Sequence, residues 1–229
     1  MLPADLLTAE AEALQALRAS LAAGSAGRWT LELRFEGLRL LPVVLRLLAG
    51  LREERPDARL LFPDAGATAL ARRDAPELAE AIASFGDQRR LQQEHPSEGV
   101  LLLVEPSQAE YALVEQVCAG HGGSVVLVNP SLEDASVGIG SVARQRRRGF
   151  LAGWSAAYAL LPQAESALRR AYPGDWELYR RDPDGYRLAA HFEQKPDGEQ
   201  QLLALSGRAA PGLGSQLRAL GQMIDDLQS

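Results

Sequence analysis

From Trp29 to Glu36 the apolar residues Trp29, Leu31, Leu33 and Phe35 alternate strictly with Thr30, Glu32, Arg34 and Glu36, which predicts a strand with one buried face. Val100 to Val104 and Ser124 to Val128 are instead aliphatic without interruption, as expected of central strands covered on both faces. Arg59 to Phe62 and Ala156 to Leu161 read as further strands. Between these runs the period changes to that of a helix. Leu6, Leu7, Leu14, Leu17 and Leu21 form an amphipathic N-terminal helix that Gly24 to Gly27 ends, and Pro42 opens a second helix running through Val43, Val44, Leu47, Leu48 and Leu51 to Pro56. Helices are also predicted from Ala65 to about Arg73 and from Gln108 to Ala119. Asp74-Ala75-Pro76-Glu77 has the form of a helix start, which predicts a helix over Pro76 to Phe85 and a polar loop over residues 86 to 99. Gly149 to Gln163 reads as a buried helix running into a strand. Trp176 to Arg180 and Tyr186 to Phe192 flank Arg181-Asp182-Pro183-Asp184-Gly185, a turn that predicts an antiparallel hairpin.

These elements predict an α/β fold with a mostly parallel central sheet, helices on both faces and a C-terminal antiparallel hairpin. Residues 1 to 206 read as a single α/β domain including the N-terminal helix. Residues 207 to 214 read as a Gly/Ala/Pro-rich linker, and residues 215 to 229 as an amphipathic helix with Leu217, Leu220, Ile224 and Leu227 on one stripe.

Three strands end at a proline: Phe62-Pro63-Asp64, Val104-Glu105-Pro106-Ser107 and Val128-Asn129-Pro130-Ser131. Proline cannot donate to a ladder, so each marks the point where the chain turns out of the sheet, and the three turns should share one edge. Ligands of open α/β sheets bind at the carboxyl ends of the strands, which makes Asp64, Asn129 and Asp134 the polar candidates there. The same residues have a second reading as turn and capping residues, with Ser107 and Glu110 forming a capping box. Val137-Gly138-Ile139-Gly140-Ser141-Val142-Ala143 contains G-x-G-x-x-A, but it lies well past the strand end and no acid follows at dinucleotide spacing; Gly138 and Gly140 read as a flexible approach to a helix. Arg144, Arg146, Arg147 and Arg148 then place positive charge in the first turns of that helix, where the macrodipole disfavours it. Either Glu133 and Asp134 offset them, or they receive an anion or the acidic surface of a partner protein.

Composition narrows the classes. The chain has 229 residues with 46% hydrophobic and 24% charged, enough to bury a full core, and a formal net charge of -6 argues against nucleic acid. Lys195 is the only lysine, so any lysine-based chemistry would have to sit there. Cys118 is the only cysteine, excluding an intrachain disulfide, and it reads as a buried structural thiol. His95, His121 and His191 lack metal-pair spacing, and no phosphate loop or nucleophile elbow is present, so neither a metal, a cofactor nor a catalytic residue is assigned. No basic leader and no transmembrane segment is expected, because the longest uncharged stretch is shorter than a spanning helix needs.

Phe62-Pro63-Asp64-Ala65-Gly66 with Ala71-Arg72-Arg73-Asp74, then Asn129-Pro130-Ser131-Leu132-Glu133-Asp134 with Val137-Gly138-Ile139-Gly140, resemble a domain-of-unknown-function family of cyanobacterial and plastid proteins. Ala171-Tyr172-Pro173, Trp176-Glu177 and Gly185-Tyr186 are similar to it as well, and the likeness runs from about Trp29 to Leu205. The family includes the plant low photosystem II accumulation factor and a domain fused to a plastid adenylate kinase. The resemblance implies a non-catalytic assembly or accessory factor in photosynthetic complex biogenesis, whose partner is a photosynthetic protein or its assembly intermediate. Its implied place is the cytoplasm or the periphery of the thylakoid membrane. The alternative expectation is an enzyme or sensor that binds a phosphorylated or nucleotide ligand, an anionic small molecule, at the carboxyl edge of the sheet.

Overall fold

A computed structural model describes residues 1–24, 26–133 and 149–206. One sheet of nine strands runs through it. In chain order these are β1 (Arg28–Leu33), β2 (Ala58–Phe62), β3 (Ile82–Ser84), β4 (Val100–Val104), β5 (Ser124–Val128), β6 (Ser155–Pro162), β7 (Ser166–Ala171), β8 (Trp176–Asp182) and β9 (Gly185–Phe192). Their spatial order is β3-β2-β4-β5-β1-β6-β7-β8-β9. β3 through β6 pair in parallel, and β6 through β9 form an antiparallel meander. The expected class is therefore observed, with a larger antiparallel part than a single hairpin.

The helices are α1 (Leu6–Ala22), α2 (Leu40–Arg52), α3 (Ala65–Asp74), α4 (Phe85–Glu94), α5 (Tyr111–Ala119) and α6 (Gly198–Leu205). Strand residues point alternately to the two faces, and the core divides accordingly. Ala13, Leu17, Val44 and Leu48 of α1 and α2 pack with Leu31, Leu33, Leu60, Leu102 and Val126 on one face. Phe85, Val114 and Val117 of α4 and α5 pack with Leu61, Leu101, Leu103, Val125 and Leu127 on the other. Each of β4 and β5 is buried at every position, which is why neither shows polar alternation. Gly123 opens β5 where it must: a Cβ there would lie 2.1 Å from the Gly99 carbonyl oxygen, a backbone atom that cannot move aside.

Several boundaries differ from expectation. Pro76–Ala81 is a short 3-10 turn instead of a full helix, followed by β3, and the stretch expected to be a polar loop is α4. The switch is local: Ser84 accepts from the Asp87 amide while Asp87 accepts from the Ser84 amide, a capping box that starts a new helix inside the expected one. β1 stops at Leu33, before Arg34 and Phe35. Only Phe150–Gly153 is helical, as a 3-10 turn, in the stretch expected to be a buried helix. β7 and α6 have no counterpart among the elements the sequence predicts. β7 carries Arg169 and Arg170 where an apolar run would be read as a strand, and α6 is short. The expected linker, C-terminal helix and arginine-bearing helix lie outside the described residues. Among the described residues no helix is long and apolar enough to cross a membrane.

Candidate functional site

The carboxyl ends of β2, β4 and β5 do share one edge, because those strands are parallel neighbours. There the sequence-selected residues have local partners. Asp64 caps α3, accepting from the Ala67 amide at 2.9 Å. Ser107 and Glu110 form the expected capping box. Asn129, at φ 48, accepts from the Leu33 amide at 2.7 Å and donates to the Leu33 carbonyl at 2.8 Å, so its side chain extends the β5–β1 ladder by one rung. The loops after β4 and β5 are also bound to each other: the Ser131 amide donates to the Pro106 carbonyl, and Gln108 exchanges two bonds with the Glu133 backbone. Asp134, Gly138, Gly140, Arg144, Arg146, Arg147 and Arg148 lie outside the described residues.

A cleft opens beside this edge, over the polar face of β1. That strand is the fifth of the nine, so its alternation has a consequence unlike that of an edge strand. Trp29, Leu31 and Leu33 turn toward α1 and α2, whereas half-buried Thr30 and Glu32 form the floor of a cavity of about 550 Å³. One wall comes from Pro130, Leu132, Leu151 and Trp154; the other comes from Arg170, Trp176 and the Glu193–Lys195 segment after β9. The first wall is held by aromatic packing. Phe150 meets Tyr111 of α5 and Trp154 edge-on at centroid distances of 5.8 and 5.4 Å, and the Trp154 indole donates to the Phe150 carbonyl at 2.9 Å.

Strand register builds the second wall. Glu32 of β1 lies opposite Ala159 of β6, Ala159 opposite Arg170 of β7, Arg170 opposite Trp176 of β8, and Trp176 opposite Phe192 of β9. Residues in register share a face, so these five form one row across the sheet. Ala159 is fully buried within it, in one core cluster with Leu168 and Trp176. Two strand spacings, roughly 10 Å, separate the backbones of Glu32 and Arg170, and the Arg170 guanidinium is turned to the Ala156 carbonyl, not to Glu32. Lys195 reaches over the row instead: its Nζ is 3.4 Å from Glu32 Oε1 and 5.3 Å from the Trp176 ring centroid. Glu32 also faces Arg34 at 3.6 Å, and Arg34 donates to the Pro130 carbonyl at 2.6 Å.

Arg170 differs from the other cations of the cleft. Its Nε donates to the Ala156 carbonyl at 3.0 Å and its Nη1 reaches the Glu193 carbonyl at 3.5 Å, while its Cζ lies 6.0 Å from the Trp176 centroid. Among the described residues it has no carboxylate within ion-pair distance. Burial pulls its guanidinium below the ordinary value, against a smaller opposing influence of Asp175 and Tyr172.

A second polar cluster sits at the opposite end of the strands. His121 is buried, with Nε2 3.3 Å from the Gly99 carbonyl and Nδ1 2.8 Å from the Ser97 hydroxyl, which also accepts from Gln88 at 2.9 Å. A carbonyl can only accept, so Nε2 carries the proton and Nδ1 accepts from Ser97. Burial lowers the His121 pKa, with the nearby Arg28 charge acting the same way. The unfolded chain then binds the proton more readily. Stability is fully present above the unfolded value near pH 6.5 and is lost as pH falls toward the folded value. Urea unfolding at pH 7.5 and 5.5 should show a loss of up to about 1 kcal/mol, absent in His121→Gln. Carboxylates such as Asp57, Asp87 and Asp182 have lowered pKa values and add their own losses only below this window. Cys118 is buried beside the same edge, and burial pushes its thiol up to about 12, so it is not a nucleophile at neutral pH. Among the described residues no group of three or more His, Cys, Asp or Glu could hold a metal ion.

A family match spans residues 3–202, and the family is described as Domain of unknown function (DUF1995). The chain belongs to DUF1995. Curated proteins give no match. The DUF1995 match contains β1 through β9, and with them every strand residue that builds the cleft.

Sequence reasoning missed Glu32, Arg170 and Trp176 as a group. Two signals bore on them: the alternation of β1, which put Glu32 on a face of its own, and the single lysine at Lys195. Nothing in the sequence joins Glu32 to Lys195, which are 163 positions apart.

Proposed function

We propose that this protein is a non-catalytic accessory factor in the biogenesis of photosynthetic protein complexes, and that it acts by binding a partner protein through the cleft over β1. The observation that carries the binding role is the composition of that cleft. Trp154 and apolar Leu132 on one wall face Arg170 and the largely buried Trp176 on the other, and tryptophan and arginine are the residues enriched where protein contacts concentrate their energy. Arg170 and Trp176 stand on a rigid sheet row, so little ordering entropy opposes association at that wall. The photosynthetic setting rests on the resemblance to cyanobacterial and plastid proteins carried by Phe62-Pro63-Asp64 and Asn129-Pro130.

Co-purification from a cyanobacterial lysate tests this reading. Wild-type protein should retain a photosystem subunit or an assembly intermediate, and Lys195→Glu, a change at a half-exposed position, should release it. Retention of no photosynthetic protein, or equal retention by Lys195→Glu, would overturn the assignment. A parallel arm with Arg144, Arg146, Arg147 and Arg148 changed to Ala asks whether the arginine segment contributes; an unchanged partner set would remove it from the interface. The alternative reading, an anionic small ligand, is favoured by one feature of the same cleft, Arg170, which has no carboxylate within ion-pair distance among the described residues.

A further inference from the structure

Arg170 is held in place before any ligand arrives. Two backbone carbonyls, of Ala156 and Glu193, orient its Nε and Nη1, and the Trp176 ring lies beside its plane as the cross-strand neighbour. Its Nη2 makes no hydrogen bond among the described residues. A guanidinium so fixed has already given up its rotamer freedom and presents a free edge of a planar fork, the geometry that recognises carboxylate and phosphate oxygens.

The row supplies the rest. Glu32, Arg170 and Lys195 line the same cavity, and the Lys195 Nζ and the Arg170 Cζ lie 5.3 and 6.0 Å from the Trp176 ring centroid. The contact of Lys195 with Glu32, at 3.4 Å, is long for a charge-assisted bond, which centres near 2.7 to 2.9 Å. Lys195 can therefore turn from Glu32 to a better acceptor at small cost. The cavity, about 550 Å³, lies within the size range of small-molecule sites.

We infer that the cleft binds a small oxyanion, a phosphate or carboxylate group of a soluble ligand, between the Arg170 fork and the Lys195 ammonium, with Glu32 as the internal carboxylate that competes for Lys195. This goes beyond the partner-binding role and does not depend on it.

Isothermal titration with inorganic phosphate, citrate and ATP, each at constant ionic strength against a sodium chloride control, tests the site. At least one probe should bind saturably. Lys195→Gln should weaken that binding about tenfold or more, as loss of a charged hydrogen-bond donor does. Arg170→Lys, which keeps the charge and loses the fork, should weaken it as well. Glu32→Gln should do the opposite and tighten binding, because it frees Lys195. Phosphate binding alone would assign a free inorganic anion, and preference for citrate or ATP a ligand that fills the cavity. Absence of saturable binding by all three probes overturns the site. So does saturable binding that Lys195→Gln and Glu32→Gln leave unchanged; neither variant removes core packing, so folding does not confound them. Loss of photosynthetic partners in the lysate experiment with intact anion binding, or the converse, separates failure of one role from failure of the other.

Discussion

Asn129→Ala should destabilise the protein by about 3 to 4 kcal/mol. The side chain is buried and completes the ladder between β5 and β1 with two hydrogen bonds to the Leu33 backbone. Alanine leaves the Leu33 amide and carbonyl without partners in the interior, each costing roughly 1 to 3 kcal/mol, and the effects of neighbours do not add fully. Alanine also tolerates φ 48 less well than asparagine, by about 1 kcal/mol. Asn129→Gly separates the two contributions, since glycine relieves the backbone and restores neither bond. Asn129→Asp keeps the acceptor for the Leu33 amide and sets a carboxylate against the Leu33 carbonyl, so it should be nearly as harmful at pH 7. Urea midpoints with an unchanged slope measure all three. A loss under about 1 kcal/mol for Asn129→Ala would show that the clamp is dispensable. Because Pro130 and Leu132 follow directly, the same change should also loosen one wall of the cleft.

Arg169→Ala should cost about 3 kcal/mol, the low end of what breaking a buried ion pair costs. Arg169 joins α1 to the antiparallel part of the sheet. Its Nη2 lies 3.0 Å from Glu12 of α1, and its Nη1 lies 2.8 Å from Glu177 of β8. Tyr158 donates to Glu12 at 3.2 Å and Tyr179 to Glu177 at 2.8 Å, which spreads the network over β6, β7 and β8. Burial is the first cause of the rise in both phenols, and it pushes Tyr179 up to about 12, so both stay protonated donors. Removing the guanidinium leaves two carboxylates facing each other with reduced access to water. They retain some solvent contact, which keeps the cost below that of a fully buried pair. Arg169→Met combined with Glu12→Gln and Glu177→Gln should recover most of the loss, since neutral groups need no counter-charge. The pH dependence has a definite sign. Burial raises the Glu177 pKa, but the hydrogen bonds from Tyr179 and Arg169 outweigh it and hold the carboxyl below its ordinary range. That contribution is present above pH ~4.3 and disappears as pH falls through the folded value, so the deficit of Arg169→Ala should shrink in acid. A deficit independent of pH would mean that packing of the arginine stem, not charge, carries the effect.

The two experiments concern residues that were visible to different degrees. Asn129 was legible as a special position, because a polar residue before proline at the end of an aliphatic run has few regular conformations. Its partner was not, since Leu33 lies 96 positions earlier and reaches it only through the pairing of β1 with β5. Asp64 shows the opposite balance. Its cap on Ala67 spans three residues, and local spacing suffices to read it. The helix expected over Pro76 to Phe85 misread a place where two local signals compete, a proline-led start at Pro76 and the capping box at Ser84, and strand pairing of β3 with β2 decided for the second.

By itself the sequence determined the class of the fold, since uninterrupted aliphatic runs between helical periods leave few ways to bury both strand faces. It determined as well the shared edge of the proline-ended strands, the caps within one turn of a helix start, and the inward and outward faces of β1. Tertiary structure alone decided that β1 is central and that its polar face is the floor of a cleft. It also decided that Glu32, Arg170, Trp176 and Lys195 meet there. The physical reason is that strand order and register are set by contacts between distant segments: the row from Glu32 to Phe192 crosses five strands, and each of its rungs is fixed by backbone pairing that leaves no local trace in the chain.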